Sequence, residues 1–206
     1  MLKINRYKTG PLDVNTYLVC DLKEKKCIII DLGSDIEKIL KDIEEIGCKL
    51  EYILNTHGHF DHIWGEKEAQ DLVKGLKVYI NKEDEQMVNN LEDITRMWNF
   101  PLQNPPKVQT FDETSELKVG SVPIKVIHTP GHTKGGTCFL IEDKLFSGDT
   151  LFRLSVGRTD LPGGSFEEIE KSIKEKLFVL DDNIKVYPGH GEETTIGYEK
   201  LNNKFI

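Results

Sequence analysis

The chain is poor in several residue types, and each shortage removes a class of function. Its four cysteines, Cys20, Cys27, Cys48 and Cys138, form no Cys-x-x-Cys pair. A thiolate zinc finger or a thioredoxin-type redox site is therefore excluded. Cys27 and Cys138 sit in apolar runs and read as buried free thiols of a reducing cytoplasm; Cys20 and Cys27 would face each other across a hairpin. Basic residues are outnumbered, 27 Lys and Arg against 35 Asp and Glu, and the net charge of −8 argues against nucleic acid or an anionic membrane as a partner. No apolar run reaches 18 residues, so no membrane-spanning helix is expected. The first residues, Met1-Leu2-Lys3-Ile4-Asn5-Arg6-Tyr7, alternate like a strand and lack the apolar core of a signal peptide. There is no Gly-x-Ser-x-Gly elbow, P-loop or Gly-x-Gly-x-x-Gly.

Histidine is also scarce, but it is concentrated. Three of the six histidines lie in Thr56-His57-Gly58-His59-Phe60-Asp61-His62. His57 and His59 are two apart and point to one side of an extended segment. Asp61 and His62 can turn into the same space, and Gly58 leaves room where the backbone must approach something. Imidazole and carboxylate are the donor set of zinc, and equally of iron or manganese. The remaining candidates follow the same plan. His132 follows the run Ile124 to Ile127, Asp149 follows Leu145-Phe146-Ser147-Gly148, and His190 follows Ile184 to Tyr187. The first motif itself follows Tyr52-Ile53-Leu54. Four strand-like runs thus end in ligand-type residues beside glycines, as neighbouring strands of a sheet would present them. His128, the remaining histidine, ends a strand and reads as a core or supporting side chain.

Seven candidate ligands are too many for one zinc and suit two, with one carboxylate bridging. The partition expected is His57, His59 and His132 around one ion, and Asp61, His62 and His190 around the other. Asp149 bridges. Two divalent ions lower the pKa of a coordinated water from ~15.7 to about 7, and Asp61 is placed to aim it as well as ligate. The chemistry expected is metal-assisted hydrolysis, with zinc the first choice of metal.

In 206 residues one domain is expected, spanning 1–206. Strands are expected at Leu2 to Thr9, Val14 to Cys20, Cys27 to Asp31, Glu51 to Asn55 and Leu76 to Ile80. Five short ones follow between Val108 and Ser147, with a last at Ile184 to Tyr187. Ser34 with Glu37, and Ser165 with Glu168, repeat the capping-box pattern. Gly47 closes the first helix. A short helix is expected from about His62 to Val73. In the helix begun by Ser165, Phe166, Ile169, Ile173 and Leu177 form the apolar face. Met87, Leu91, Ile94 and Trp98 fall at helical spacing, a stripe that reads as core, with Trp98 or Phe100 over the site as the alternative. Arg153 to Gly164 reads as a loop. The class is α+β, with helices outside sheets.

The order His-x-His-x-Asp-His, His, Asp, His resembles the signature of the metallo-β-lactamase superfamily, and the likeness extends over nearly the whole chain. It implies a four-layer αββα sandwich with metals at one edge between two sheets. Gly148-Asp149-Thr150-Leu151-Phe152, Val156-Gly157-Arg158-Thr159-Asp160 and Tyr187-Pro188-Gly189-His190-Gly191 are similar to the short, single-domain hydroxyacylglutathione hydrolase branch, the glyoxalase II-like proteins. These lack the helical domain that supplies much of the glutathione site. The resemblance implies a cytoplasmic hydrolase of small acyl-thiol esters such as S-(2-hydroxyacyl)glutathione. It also makes Arg158 a substrate contact, although Arg158 paired with Asp160 would equally shape the loop. The other readings of the same centre are a persulfide dioxygenase, with one iron on His57, His132 and Asp149, and a lactonase or phosphodiesterase. That dioxygenase branch tends to have Pro-Ala-His where this chain has Pro188-Gly189-His190. A non-catalytic binding module is the reading from another class. The oligomeric state is left open.

Overall fold

The structure, a computed structural model, describes residues 1–97, 100–101 and 104–206. The first sheet takes β1 (Leu2–Thr9), β2 (Val14–Asp21), β3 (Lys26–Ile30), β4 (Lys49–Leu54), β5 (Lys77–Asn81) and β6 (Val108–Phe111), in that order across the sheet. Its first three strands are antiparallel hairpins, and β3 to β6 run parallel. Parallel neighbours need crossovers. Helices supply them: α1 (Ile36–Ile46) from β3 to β4, and α2 (Phe60–Ile63) with α3 (Glu66–Leu72) from β4 to β5. Two further helices, α4 (Glu85–Asn89) and α5 (Leu91–Met97), precede β6.

The second sheet contains β7 (Leu117–Val119), β8 (Val122–His128), β9 (Thr137–Ile141) and β10 (Lys144–Gly148). A small hairpin of β11 (Leu151–Phe152) and β12 (Ser155–Val156) follows. Then come α6 (Phe166–Ser172), continued by a wide turn over Ile173–Leu177, β13 (Lys185–Pro188), β14 (Thr194–Thr195) and α7 (Ile196–Asn202). The sheet order is β14-β13-β10-β9-β8-β7.

Alternation along the strands builds four layers. In β2, Tyr17 and Val19 turn to the space between the sheets, and Leu18 and Cys20 turn to the helices. The inner core joins Tyr17, Ile28, Ile30 and Leu54 of the first sheet to Val126, Phe139, Phe146 and Tyr187 of the second. Outside the first sheet, Ile36, Ile39 and Ile43 of α1 and Ala69 of α3 cover Leu18, Ile29 and Ile53. Outside the second, Ile169, Ile173, Leu177 and Ile196 cover Cys138, Leu145 and Val186. Every residue of β2 is buried because both of its faces are covered. Among the described residues no helix is long and apolar enough to cross a membrane. Cys20 lies opposite Cys27, and all four cysteines are free thiols.

Several local expectations need correction. Ser34 does not cap α1. Asp35 intervenes in a left-handed conformation (φ 60°) and holds the N-cap position with no side-chain cap bond. Ser34 Oγ instead accepts from the Gly10 N–H at 2.9 Å. Ser165 does cap α6, accepting from the Glu168 N–H at 3.3 Å. Phe166, expected on the apolar face of that helix, is 48% exposed at its first turn. The single helix expected from His62 to Val73 is two, divided where the Gly65 N–H turns to Leu32 O. The expected loop from Arg153 is in part the β11–β12 hairpin. Trp98 lies outside the described residues.

One contact locks α6 to the turn that carries His132. Gly131 has φ 135°, a backbone that L residues rarely adopt, and a Cβ there would stand 2.2 Å from Ile169 N. Ser165 N–H also donates to Gly131 O at 2.8 Å. Gly131→Ala should therefore cost about 2 kcal/mol or more through overpacking. In a chain of this length that lowers the melting temperature by about 4–8 °C. Thermal denaturation checks it, and an unchanged midpoint would mean that α6 is not held this way.

Candidate metal centre

Seven side chains meet at one rim of the sandwich. His57 follows β4 of the first sheet; His132, Asp149 and His190 follow β8, β10 and β13 of the second. The ligand-type residues thus come from both sheets, not from neighbouring strands of one. His59, the residue before α2, and Asp61 and His62 in its single turn complete the set. All seven candidates are together. His128 is not among them: half-buried at the end of β8, its Nε2 bonds Lys134 O at 2.8 Å.

The donor atoms form two groups. His57 Nε2 lies 3.1 Å from His59 Nδ1, which lies 2.8 Å from His132 Nε2. Asp61 Oδ2 lies 3.2 Å from His190 Nε2 and 3.6 Å from His62 Nε2. Each group places one ligand atom per residue within 4.8 Å of the others, close enough to share an ion. Asp149 stands between them. Its Oδ1 is 3.4 Å from His62 Nε2, and its Oδ2 is 3.5 Å from His132 Nε2 and 3.7 Å from His190 Nε2. Among the described residues, buried His62 Nε2 and Asp149 Oδ1 have no hydrogen-bond partner. Such atoms are costly unless something else satisfies them. A cation would, and the donor set is nitrogen and oxygen throughout, so the residues fit divalent metal ions.

The outward ring nitrogens are fixed by hydrogen bonds. Thr56 Oγ1 donates to Asp31 Oδ2 at 2.7 Å, so it accepts from His57 Nδ1–H at 3.0 Å. His62 Nδ1 donates to the same Asp31 oxygen at 2.9 Å, and His132 Nδ1 to Arg158 O at 2.7 Å. Each bond leaves the Nε2 lone pair facing the centre. Asp31 also groups with His57 and His62, but its oxygens are already engaged by Thr56 and His62, which makes it an orienting residue.

Burial and charge set the protonation of the cluster. Burial holds the His57 imidazole well below its ordinary value, with the neighbouring histidines adding to it. Burial likewise brings His59 down to about 3. For His62 burial acts the same way, but the Asp149, Asp61 and Asp31 carboxylates outweigh it and raise the ring well above its ordinary value. Burial would raise Asp61 and Asp149; the adjacent His62, with His190 at both and His132 at Asp149, instead holds them below the usual carboxylate range. The carboxylates and His62 thus favour positive charge between the two groups, where a metal ion would be held.

Two carboxylates of the site escape a reading of the sequence. Asp31 ends an apolar strand beside Leu32-Gly33, the same strand-end signal that marks Asp149. Asp84 gives no such signal, lying in a polar stretch between β5 and α4. Its carboxylate accepts from Gly58 N–H at 3.0 Å, Thr133 Oγ1 at 2.7 Å and Gly135 N–H at 2.7 Å. It thus ties the His57–His59 turn to the loop after His132. Gly58 leaves room for this carboxylate's own chain: a Cβ there would stand 3.2 Å from Asp84 Cβ. Burial raises the Asp84 pKa, although the three donors oppose it.

The sequence places two arginines after Asp149, and they diverge. Arg153 lies over the Tyr198 ring at 5.6 Å, away from the centre. Arg158 borders the cavity in front of the centre, but its fork is engaged by Asp160, at 2.8 Å for Nε and 2.7 Å for Nη2. Met87 and Phe100, from the segment expected to be core or to overhang the site, line that cavity.

Asp84→Ala would strand three buried donors. It should cost about 3 kcal/mol and loosen both loops, lowering metal content as well. Melting curves and metal analysis of the variant test this. Unchanged values for both would show that the two loops hold their positions without Asp84.

Comparison with known proteins gives the same answer as the geometry. The chain is 34% identical over 197 residues to the hydroxyacylglutathione hydrolase GloC of Haemophilus influenzae, covering 93% of this chain and 92% of GloC. The structure matches the B3 metallo-β-lactamase BLEG-1 with a TM-score of 0.86 at 32% identity, over 100% of this chain and 99% of that one. It matches TTHA1623, solved in a di-iron-bound form, with a TM-score of 0.85 at 34% identity, over 98% of this chain and 100% of that one. The metallo-β-lactamase superfamily model matches residues 9–190, so the chain belongs to the metallo-β-lactamase superfamily of metallo-hydrolases.

Proposed function

We propose that this protein hydrolyses small acyl-thiol esters at a dinuclear metal centre. One ion would be held by His57, His59 and His132, the other by Asp61, His62 and His190, with Asp149 shared. The observation that carries the reading is Asp149: its two oxygens face both groups, and one of them is buried without a partner. When bound, the ions would acidify water and polarise the substrate carbonyl. Zinc suits the donor set; iron is supported by the di-iron relative, and manganese fits the same donors.

The chain's own groups divide the remaining work. Asp61 is buried at the floor of the cavity, so its carboxylate can accept a hydrogen bond from the attacking water and aim it. His59, His132 and His190 also line the floor, which brings the acyl carbon to the cluster. The thiol leaving group has a pKa near ~8.5 and departs as thiolate without a strong protein acid. GloC supports the thioester class. Gly189 argues against the dioxygenase alternative, whose branch tends to carry alanine there: a Cβ at this position would stand 2.3 Å from Asp149 Oδ1 and 2.7 Å from His62 Cε1.

Metal analysis of the purified protein, with turnover of thioesters, lactones and persulfides, tests the proposal. Two ions per chain and preferred thioester turnover are expected, and Asp149→Ala should lose metal and activity together. Oxygen uptake with a persulfide, or a single bound ion in the fully active enzyme, would overturn it.

Arg158, expected to contact substrate, lines the cavity with its fork engaged by Asp160. Arg158 and Asp160 are exposed and paired with each other, and such a pair contributes little. Because the fork is already engaged, Arg158→Ala should leave KM nearly unchanged, and equally so for carboxylate-bearing and neutral thioesters. A rise confined to the carboxylate-bearing ester would make Arg158 a substrate contact.

A further inference from the structure

The cavity over the histidine–aspartate cluster encloses about 720 Å³, within the range of sites that take a whole small ligand. Its floor is polar, and its described walls are mostly apolar, Ser155 and Arg158 excepted. Leu12 from the β1–β2 turn, Met87 of α4, Phe100, Phe152 and Val156 of the small hairpin, and Leu161 form most of the lining. Phe60 and Phe100 pack at 4.8 Å, and Phe152 meets the His190 ring edge at 6.3 Å. Apart from the histidines of the floor, Arg158 is the one cationic side chain among the described lining residues, and Asp160 engages its fork.

A glutathione thioester would bring two carboxylates and an ammonium to this space. Charges without partners do not enter an apolar wall cheaply. An apolar acyl group does not meet that obstacle. We infer that the cavity binds an uncharged acyl chain of medium length, so that the acyl side of the thioester, and not a charged thiol, supplies most of the binding. This rests on the thioesterase reading above. In the reaction, water oxygen bonds to the acyl carbon and the C–S bond breaks with its electron pair on sulfur. One water proton ends on the thiolate, and the second leaves as the product acid ionises.

The test uses the metal-loaded protein and N-acetylcysteamine thioesters, whose thiol is neutral, with acyl chains of two to ten carbons. The same acyl groups on glutathione form the second series. We expect kcat/KM to rise about two- to fourfold per methylene until the cavity is filled, with no gain from glutathione at any chain length. Leu12 is 46% exposed at the rim, so Leu12→Asp should fold normally. It should lower the decanoyl rate at least about tenfold relative to the acetyl rate, an effect of some 1.4 kcal/mol. A non-hydrolysable series, with CH2 inserted between carbonyl and sulfur, gives a readout without turnover. Its affinity should rise with chain length, with an increasingly negative heat-capacity change. Rates and affinities independent of chain length, or a tenfold preference for glutathione, would overturn the inference and leave the thioesterase reading intact. Absence of any thioester turnover would end that reading, and the analogue series would still decide what the cavity binds.

Discussion

The centre depends on a buried carboxylate that is not expected to bind metal. Asp31 sits at the end of β3 in a left-handed conformation (φ 55°) and accepts three hydrogen bonds, from Thr56 N–H, Thr56 Oγ1 and His62 Nδ1. The Thr56 hydroxyl can give its one proton to only one acceptor. Because Asp31 takes it, His57 must present its Nδ1–H to Thr56 and its lone pair to the centre. One carboxylate therefore fixes the tautomers of His57 and His62, one histidine from each half of the cluster. Without it both rings could rotate or exchange nitrogens, and the spacing of the motif alone would not specify a site.

The two sheets must also be held at a fixed distance, because each contributes donors. Apolar packing supplies the bulk of that, and polar clasps set the register at the rim. Tyr17 of the first sheet packs edge-on against Phe146 and Tyr187 of the second, and its hydroxyl donates to Pro188 O at 2.7 Å. Asn15 N–H donates to Gly189 O, and its side-chain amide to Pro188 O and Gly191 O. The loop bearing His190 is thereby built partly by β2. Asp84 does the same for the loop after His132 from the opposite direction. These bonds join residues 49 to 176 positions apart in sequence, so no window of local pattern contains them.

That separation explains what the sequence discloses. The strands that deliver the cluster are legible because alternation, apolar runs and glycine punctuation are local. β1, β6 and β8 run between the residues that the pattern marks, Leu2 to Thr9, Val108 to Phe111 and Val122 to His128. The seven candidate donors are legible because histidine is scarce and each follows a strand. Ser34 is misleading because a capping box records which residues are near one another, not that Asp35 will take a left-handed turn and displace the cap. Phe166 misleads because periodicity places a residue on a face without saying whether the sheet extends under it. Asp84 is invisible because a surface-type residue in a polar stretch looks the same whether it is solvated or folded inward.

Glu66 shows how far the demands of the cluster extend into the fold. It begins α3, is fully buried, and has neither carboxyl oxygen hydrogen-bonded. Burial pushes its pKa well above the ordinary value; the nearby Asn55 opposes this, and the Asp31 carboxylate adds to the rise. A second anion behind Asp31 would compete for the His62 ring that Asp31 must orient. Burial disfavours that second anion at Glu66, which fills the space under α3. Asn55 stands between β4 and the first histidine, also buried and without a side-chain partner. The polar region thus continues one layer behind the donors, toward the helices, while the cavity in front of them is lined mostly with apolar side chains. Charge is concentrated in a thin sheet between the two, where carboxylates, imidazoles and incoming cations can neutralise one another without help from solvent.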